Sequence, residues 1–144
     1  PIYPPKIGFL REDCITMENV LHELLHYYAM YNYVPYRDGV IPACEEYEVR
    51  VLTDVIMQKY CANCDFKYQG MSLFYQPYID WINNLINTSS FDKFLFGIEF
   101  KKYGTICIMN LQYNDKTTHD ILQINDLNYY IPLLLETFLF NFKR

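Results

Sequence analysis

Two histidines and a glutamate fall within five residues, His22-Glu23-Leu24-Leu25-His26. On an α-helix, residues four apart lie on one face, about 40° round the axis from each other. Both imidazoles can then turn a nitrogen toward a single ion, and zinc takes such nitrogens at about 2.0–2.1 Å. Glu23 sits about 100° round from His22, too far to be a natural ligand but near enough to reach a water on the metal. Zinc draws the pKa of that water down toward about 7, and a carboxylate beside it can take the proton. One turn of helix thus supplies two ligands and a general base for hydrolysis. The competing reading is two partly exposed histidines flanking the core stripe of an ordinary amphipathic helix.

A hydrolytic zinc needs a third protein ligand. The next acidic cluster is Glu45-Glu46-Tyr47-Glu48. On a second helix Glu46, Val49 and Leu52 or Thr53 share a face, which puts Glu46 at the edge of the apolar seam facing the first helix. Glu45 shares that face less squarely, and Glu48 is the weaker candidate. Against all three stands a plainer role, since acidic residues in a helix's first turn complement its dipole. An oxyanion donor would also be required. Tyr27, Tyr28, Tyr31, Tyr33 and Tyr36 lie nearby in sequence, and His119 in the polar stretch Lys116–Asp120 is a more remote candidate as donor or ligand.

The elements that must hold these groups follow from the pattern. Thr16 serves as N-cap, with Glu18 in the first turn, and apolar residues recur at Val20, Leu21, Leu24, Leu25 and Tyr28, which predicts a helix to about Tyr31. A loop with two prolines and a glycine follows, and Pro42 fits the first turn of a second helix that carries Val49, Leu52, Val55 and Ile56 and ends near Tyr60. Residues 61–70 read as loop, and 71–87 as a third helix, kinked or started late by Pro77. The aromatic and β-branched segments 94–103 and 105–113 read as antiparallel strands, with a third at 121–124, and an apolar helix closes the chain over 127–142. The expected class is α+β: an N-terminal helical layer, a small antiparallel meander near 94–124, and a C-terminal apolar helix, in one domain over 1–144.

The chain has 144 residues, 51% hydrophobic and 18% aromatic, which is enough to fold around one core. Net charge is −5, and its 12 Lys and Arg form no run, so nucleic-acid binding through phosphate contacts is disfavoured. No apolar stretch approaches the roughly 18 residues of a membrane span, and the start has no signal-peptide pattern. It also lacks Met, as a trimmed or internal fragment of a longer chain would. Five cysteines, an odd number, are expected to be mostly reduced thiols in a cytoplasmic protein. Cys61 and Cys64 are read as two ordinary thiols in a loop. The aromatic run Met71–Trp81 is read as core with amphipathic coverage, or as a binding surface.

The stretch His22–Tyr28, some twenty residues, and then Glu45–Met57 resembles zinc metallopeptidases whose third ligand is a glutamate on the following helix. It is closest in rhythm to compact phage- and mobile-element forms, including the repressor-cleaving ImmA/IrrE type. The resemblance covers about residues 16–57. It implies His22 and His26 as ligands, Glu23 as general base, Glu46 as third ligand, zinc as cofactor, and a peptide or protein as substrate. It also implies a sheet whose edge holds the peptide, which here would have to come from residues 94–124. Leu25 stands where the family often has Gly, and Val49-Arg50 where it has Ala-Asn. The reading is therefore a cytoplasmic zinc-dependent peptidase-like protein of viral or phage type, suited by a composition rich in Tyr, Asn, Ile, Lys and Phe. The alternative is a non-catalytic viral or phage antagonist or immunity protein acting through a protein–protein surface.

Overall fold

A computed structural model describes residues 8–9, 11–32, 42–71, 75–87, 93–115, 134–135 and 137–138. These hold four α-helices: α1 (Met17–Asn32), α2 (Pro42–Tyr60), α3 (Gln76–Asn87) and α4 (Lys93–Asp115), with a short 3₁₀ turn at Glu12–Cys14.

Local chemistry sets the helix starts. The Thr16 hydroxyl accepts from the Asn19 amide at 3.3 Å, capping α1. Pro42 opens α2, where its missing N–H costs nothing. Pro77 falls on the second residue of α3, so the third helix begins late, at Gln76.

α2 is the central element and packs on α1, α3 and α4. From Tyr47 to Val55 every residue except Arg50 is buried. A helix covered on nearly every side must satisfy its own polar groups. Thr53 Oγ1 donates to the Val49 carbonyl at 2.8 Å, and Glu48 accepts from the Leu135 amide at 2.7 Å. The rest of the core is aromatic. Tyr47 packs on Phe100 with ring centroids 4.7 Å apart and donates its hydroxyl to the Phe100 carbonyl at 2.7 Å. Trp81 of α3 stacks on Phe96 and Tyr103 of α4.

The expected α+β class is wrong for the described residues, which contain no strand. Residues 94–103 and 105–113 lie in the continuous helix α4. Phe96, Phe100, Tyr103 and Cys107 are buried at spacings of four, three and four, one stripe of a helix. Burying a large apolar side chain contributes about 1.5–3 kcal/mol, whereas the whole β-propensity scale spans about 1 kcal/mol, so the packed stripe prevails over composition. The sheet that the family resemblance implies for peptide binding is therefore not found over 94–113. The proposed strand at 121–124 lies outside the described residues. The apolar C-terminal helix over 127–142 is not seen as an element: only Leu134, Leu135, Thr137 and Phe138 are described there, and both leucines are fully buried in the core. Among the described residues no helix is long and apolar enough to cross a membrane.

Candidate metal centre

α1 presents His22 and His26 to α2. The rings meet edge to face with centroids 4.8 Å apart, and the two Nε2 atoms are 3.1 Å apart. Each Nδ1 has an acceptor of its own. His22 Nδ1 lies 2.7 Å from Gln69 Oε1, and His26 Nδ1 lies 3.3 Å from Glu45 Oε1. Those acceptors can keep a proton on Nδ1 of each ring when an ion takes Nε2, and the two Nε2 atoms face one point.

Glu46 completes that point from α2. Its Oε1 is 3.1 Å from His22 Nε2 and its Oε2 is 2.8 Å from His26 Nε2. The three adjacent glutamates thus divide: Glu46 faces the imidazoles, Glu45 lies behind His26, and Glu48 turns into the core to the Leu135 amide. One ligand atom from each of His22, His26 and Glu46 lies within 4.8 Å of the others. Tetrahedral zinc with bonds of about 2.0–2.1 Å holds its ligand atoms about 3.3 Å apart. The two Nε2 atoms, 3.1 Å apart, come close to that spacing, and each faces its own oxygen of Glu46, at 3.1 and 2.8 Å. Two histidine nitrogens and one carboxylate oxygen also match the donor set of a hydrolytic zinc site, with the fourth position left for water.

A proton can serve the same geometry. Burial opposes a charge on His26, but hydrogen bonds to Glu45 and Glu46 outweigh it and raise the pKa from 6.5 to about 9. Burial likewise opposes the charge on Glu46, yet the hydrogen bonds from His22 and His26, with Arg50 nearby, hold it well below the usual carboxylate range. An ion at this point displaces the His26 proton.

Four further residues brace the centre. Arg50 Nε donates to Glu46 Oε1 at 2.9 Å, and Arg50 Nη1 donates to the Gln69 carbonyl at 3.1 Å. The Gln69 side chain reaches back to His22 and donates to Asn19 Oδ1 at 3.0 Å. The contacts close a ring, His22 to Glu46 to Arg50 to Gln69 and back, that ties α1, α2 and the 61–70 loop together. Asp54 anchors the loop from below, taking the Gln69 and Gly70 amides at 2.7 and 2.9 Å and the Tyr78 hydroxyl at 2.5 Å. Burial lifts the Asp54 pKa from 3.8 to about 7, against the pull of those three donors. Gly70 is required here: a Cβ on it would overlap the Tyr78 hydroxyl.

Glu23, His22 and Glu46 line one cavity of about 440 Å³ together with Asn19, Arg50, Gln69, Gly8 and an apolar wall of Phe9, Tyr68 and Met71. Glu23 therefore opens on the same space as two of the three ligand residues. Of the tyrosines considered as oxyanion donors, the described ones, Tyr27, Tyr28 and Tyr31, do not line this cavity. Tyr28 and Tyr31 are exposed, Tyr27 is half-buried, and Tyr33, Tyr36 and His119 lie outside the described residues. Gln69, Arg50, Asp54 and Asn19 escaped the sequence reading. Only Arg50 left a trace there, as the departure from Ala-Asn.

Cys61 and Cys64 are joined in a disulfide across the turn that follows α2, not two free thiols as expected. The turn is closed by the Cys64 amide donating to the Cys61 carbonyl at 2.9 Å. Cys107 is a buried free thiol.

Comparison with protein-family models, with curated proteins and with solved structures finds no match.

Proposed function

We propose that this chain is a zinc-dependent hydrolase of peptide bonds, with His22, His26 and Glu46 as ligands and Glu23 as general base. One observation carries the reading: both Nε2 atoms and the Glu46 carboxylate converge at 2.8–3.1 Å while each Nδ1 has its own acceptor. Zinc, when bound, would polarise a carbonyl and acidify a water. The chain's own residues do the rest. Gln69 and Glu45 fix the tautomer and tilt of the imidazoles, and Arg50 keeps Glu46 turned toward them. Glu23 takes the proton of a water held in the cavity it shares with His22. That the bond is a peptide bond, and that the protein is of phage or viral type, is supported by the resemblance of residues 16–57 to metallopeptidases. The cytoplasmic setting was expected from reduced cysteines, and the Cys61–Cys64 disulfide favours an oxidising compartment instead.

A second reading has its own observation. Met17, Leu24, Tyr28 and Tyr31 are exposed along α1, as a surface for another protein would be, and a non-catalytic binding protein would use that face.

Metal analysis of the full chain separates the two. The hydrolase reading expects one zinc per chain, absent in His22→Ala. It also expects Glu23→Gln to keep the metal and lose turnover on a peptide library. A chain that takes up no zinc after chelator removal and zinc addition sinks the hydrolase.

A further inference from the structure

Arg50 offers more than a brace for Glu46 needs. A guanidinium carries five N–H donors. Two are engaged, Nε with Glu46 at 2.9 Å and one on Nη1 with the Gln69 carbonyl at 3.1 Å. Three remain without a hydrogen-bond partner among the described residues, on a side chain that is 30% exposed and lines the cavity. The two engaged bonds hold the planar group still, so little freedom is left to lose when an anion docks on it.

The surroundings narrow the ligand. The charged groups lining the cavity are Glu23, Glu46 and Arg50, a net −1, which a divalent ion on the ligands turns to +1. The same cavity is also lined by Phe9, Tyr68 and Met71, which give it apolar surface. An anion with an apolar body fits both. The Glu46 oxygen that accepts from Arg50 Nε is the same one that lies 3.1 Å from His22 Nε2. The guanidinium and the ligand centre are thus separated by a single carboxylate oxygen, about the span of one residue, whose Cα atoms lie about 3.8 Å apart.

We infer that the cavity is a carboxylate subsite: Arg50 receives, through the N–H groups not engaged by Glu46 and Gln69, a carboxylate borne by a residue one position from the bond broken at the centre. The preferred substrate is then a peptide cut next to its C-terminal residue or next to an acidic side chain. The inference rests on the hydrolase reading for the position of the bond, but not for the binding of the anion.

The test is calorimetric titration of the full chain, loaded with zinc, with 3-phenylpropanoate and with its uncharged amide, with the zinc content of each sample read by native mass spectrometry. The acid is expected to bind at least about tenfold more tightly than the amide, the margin of a charge-assisted contact. Arg50→Gln should erase that preference, and Arg50→Lys, a point charge without the fork, should keep part of it with zinc retained. A preference that survives in zinc-loaded Arg50→Gln puts the carboxylate elsewhere and overturns the inference. So does the lack of any preference in the wild-type chain carrying one zinc. If the wild-type chain holds no zinc, the hydrolase reading fails by itself, and an acid preference lost in Arg50→Gln still upholds the subsite. Peptides ending in a free or an amidated C-terminus, with and without an internal Glu, then tell the two carboxylate sources apart.

Discussion

Gln69 Oε1 accepts a hydrogen bond from His22 Nδ1 at 2.7 Å across 47 residues of sequence. That contact decides which nitrogen of His22 is offered to an ion. The Gln69 amide donates in turn to Asn19 on the same helix as His22, so its orientation is fixed at both ends.

Gln69→Leu removes the acceptor and leaves all three ligand residues in place. Zinc affinity should fall about 10–100-fold, the usual cost of losing such a partner. Competition against a chromophoric chelator measures it, with the helical circular dichroism unchanged. Equal affinity in the variant would mean that His22 needs no partner to present Nε2.

Glu46 and Glu48 should separate cleanly. Glu46→Ala is expected to lose the metal and keep the fold. Glu48→Ala is expected to keep the metal and lower stability by about 1–3 kcal/mol in urea unfolding, because the buried Leu135 amide loses its acceptor. The reverse pattern would assign the third ligand to Glu48.

Above the ordinary carboxylate range, where the contribution of the lowered Glu46 pKa is already complete, stability of the metal-free chain should fall as pH rises, in two steps. The fold favours the protonated form of Asp54, whose pKa is raised from 3.8 to about 7, so its contribution is full below about pH 3.8 and gone above about pH 7. The fold also favours the His26 imidazolium, raised from 6.5 to about 9, so that contribution is full below about pH 6.5 and is lost through about pH 9. Thermal unfolding in chelator across pH 4–9 reads both limbs. Asp54→Asn should flatten the lower limb and His26→Ala the upper. With zinc the upper limb should reverse, because a ligating imidazole must be neutral. A chelated chain that gains stability from pH 7 to 9 would contradict the His26 assignment.

Gly70→Ala should damage the centre without touching a ligand. The added Cβ meets the Tyr78 hydroxyl, so either Tyr78 leaves Asp54 or the loop lifts and carries Gln69 away from His22. A lower melting temperature together with weaker zinc binding is expected. A lower melting temperature alone would show that Gln69 holds His22 independently of the loop below it.

How far the sequence was legible depended on the range of the interaction. Thr16, Pro42 and Pro77 act within a few residues, and the three helix starts at Met17, Pro42 and Gln76 follow from them. The pairing of His22 with His26 is a matter of helical spacing and needs nothing else. Glu46 could be placed at the edge of the seam and named by the resemblance, but the partners that set it apart from Glu45 and Glu48, His26 and the Leu135 amide, come only with folding. Gln69, Asp54 and Asn19 are ordinary polar residues whose roles exist solely through long-range contacts. In α4 the helical stripe Phe96, Phe100, Tyr103 and Cys107 was present but masked by Leu95, Ile98 and Ile106, apolar residues on the exposed side that gave the segment a strand-like composition.

The burial of α2 on nearly every side has a historical consequence. On this one helix, residues that hold the core sit beside Glu46, whose partners are the two imidazoles and Arg50. Glu48 and Asp54 carry core hydrogen bonds, so a descendant chain would retain them whether or not it used a metal. Under the proposed hydrolase reading, Glu23 on α1, and Glu46 apart from its ion pair with Arg50, would be released to drift once hydrolysis ceased to matter to the organism. Among descendants of this protein, the order of decay along a few turns of helix would therefore record whether the proposed activity was kept or abandoned. A lineage with Asp54 and Glu48 intact but Glu23 and Glu46 replaced would be one that kept the scaffold and gave up the proposed reaction.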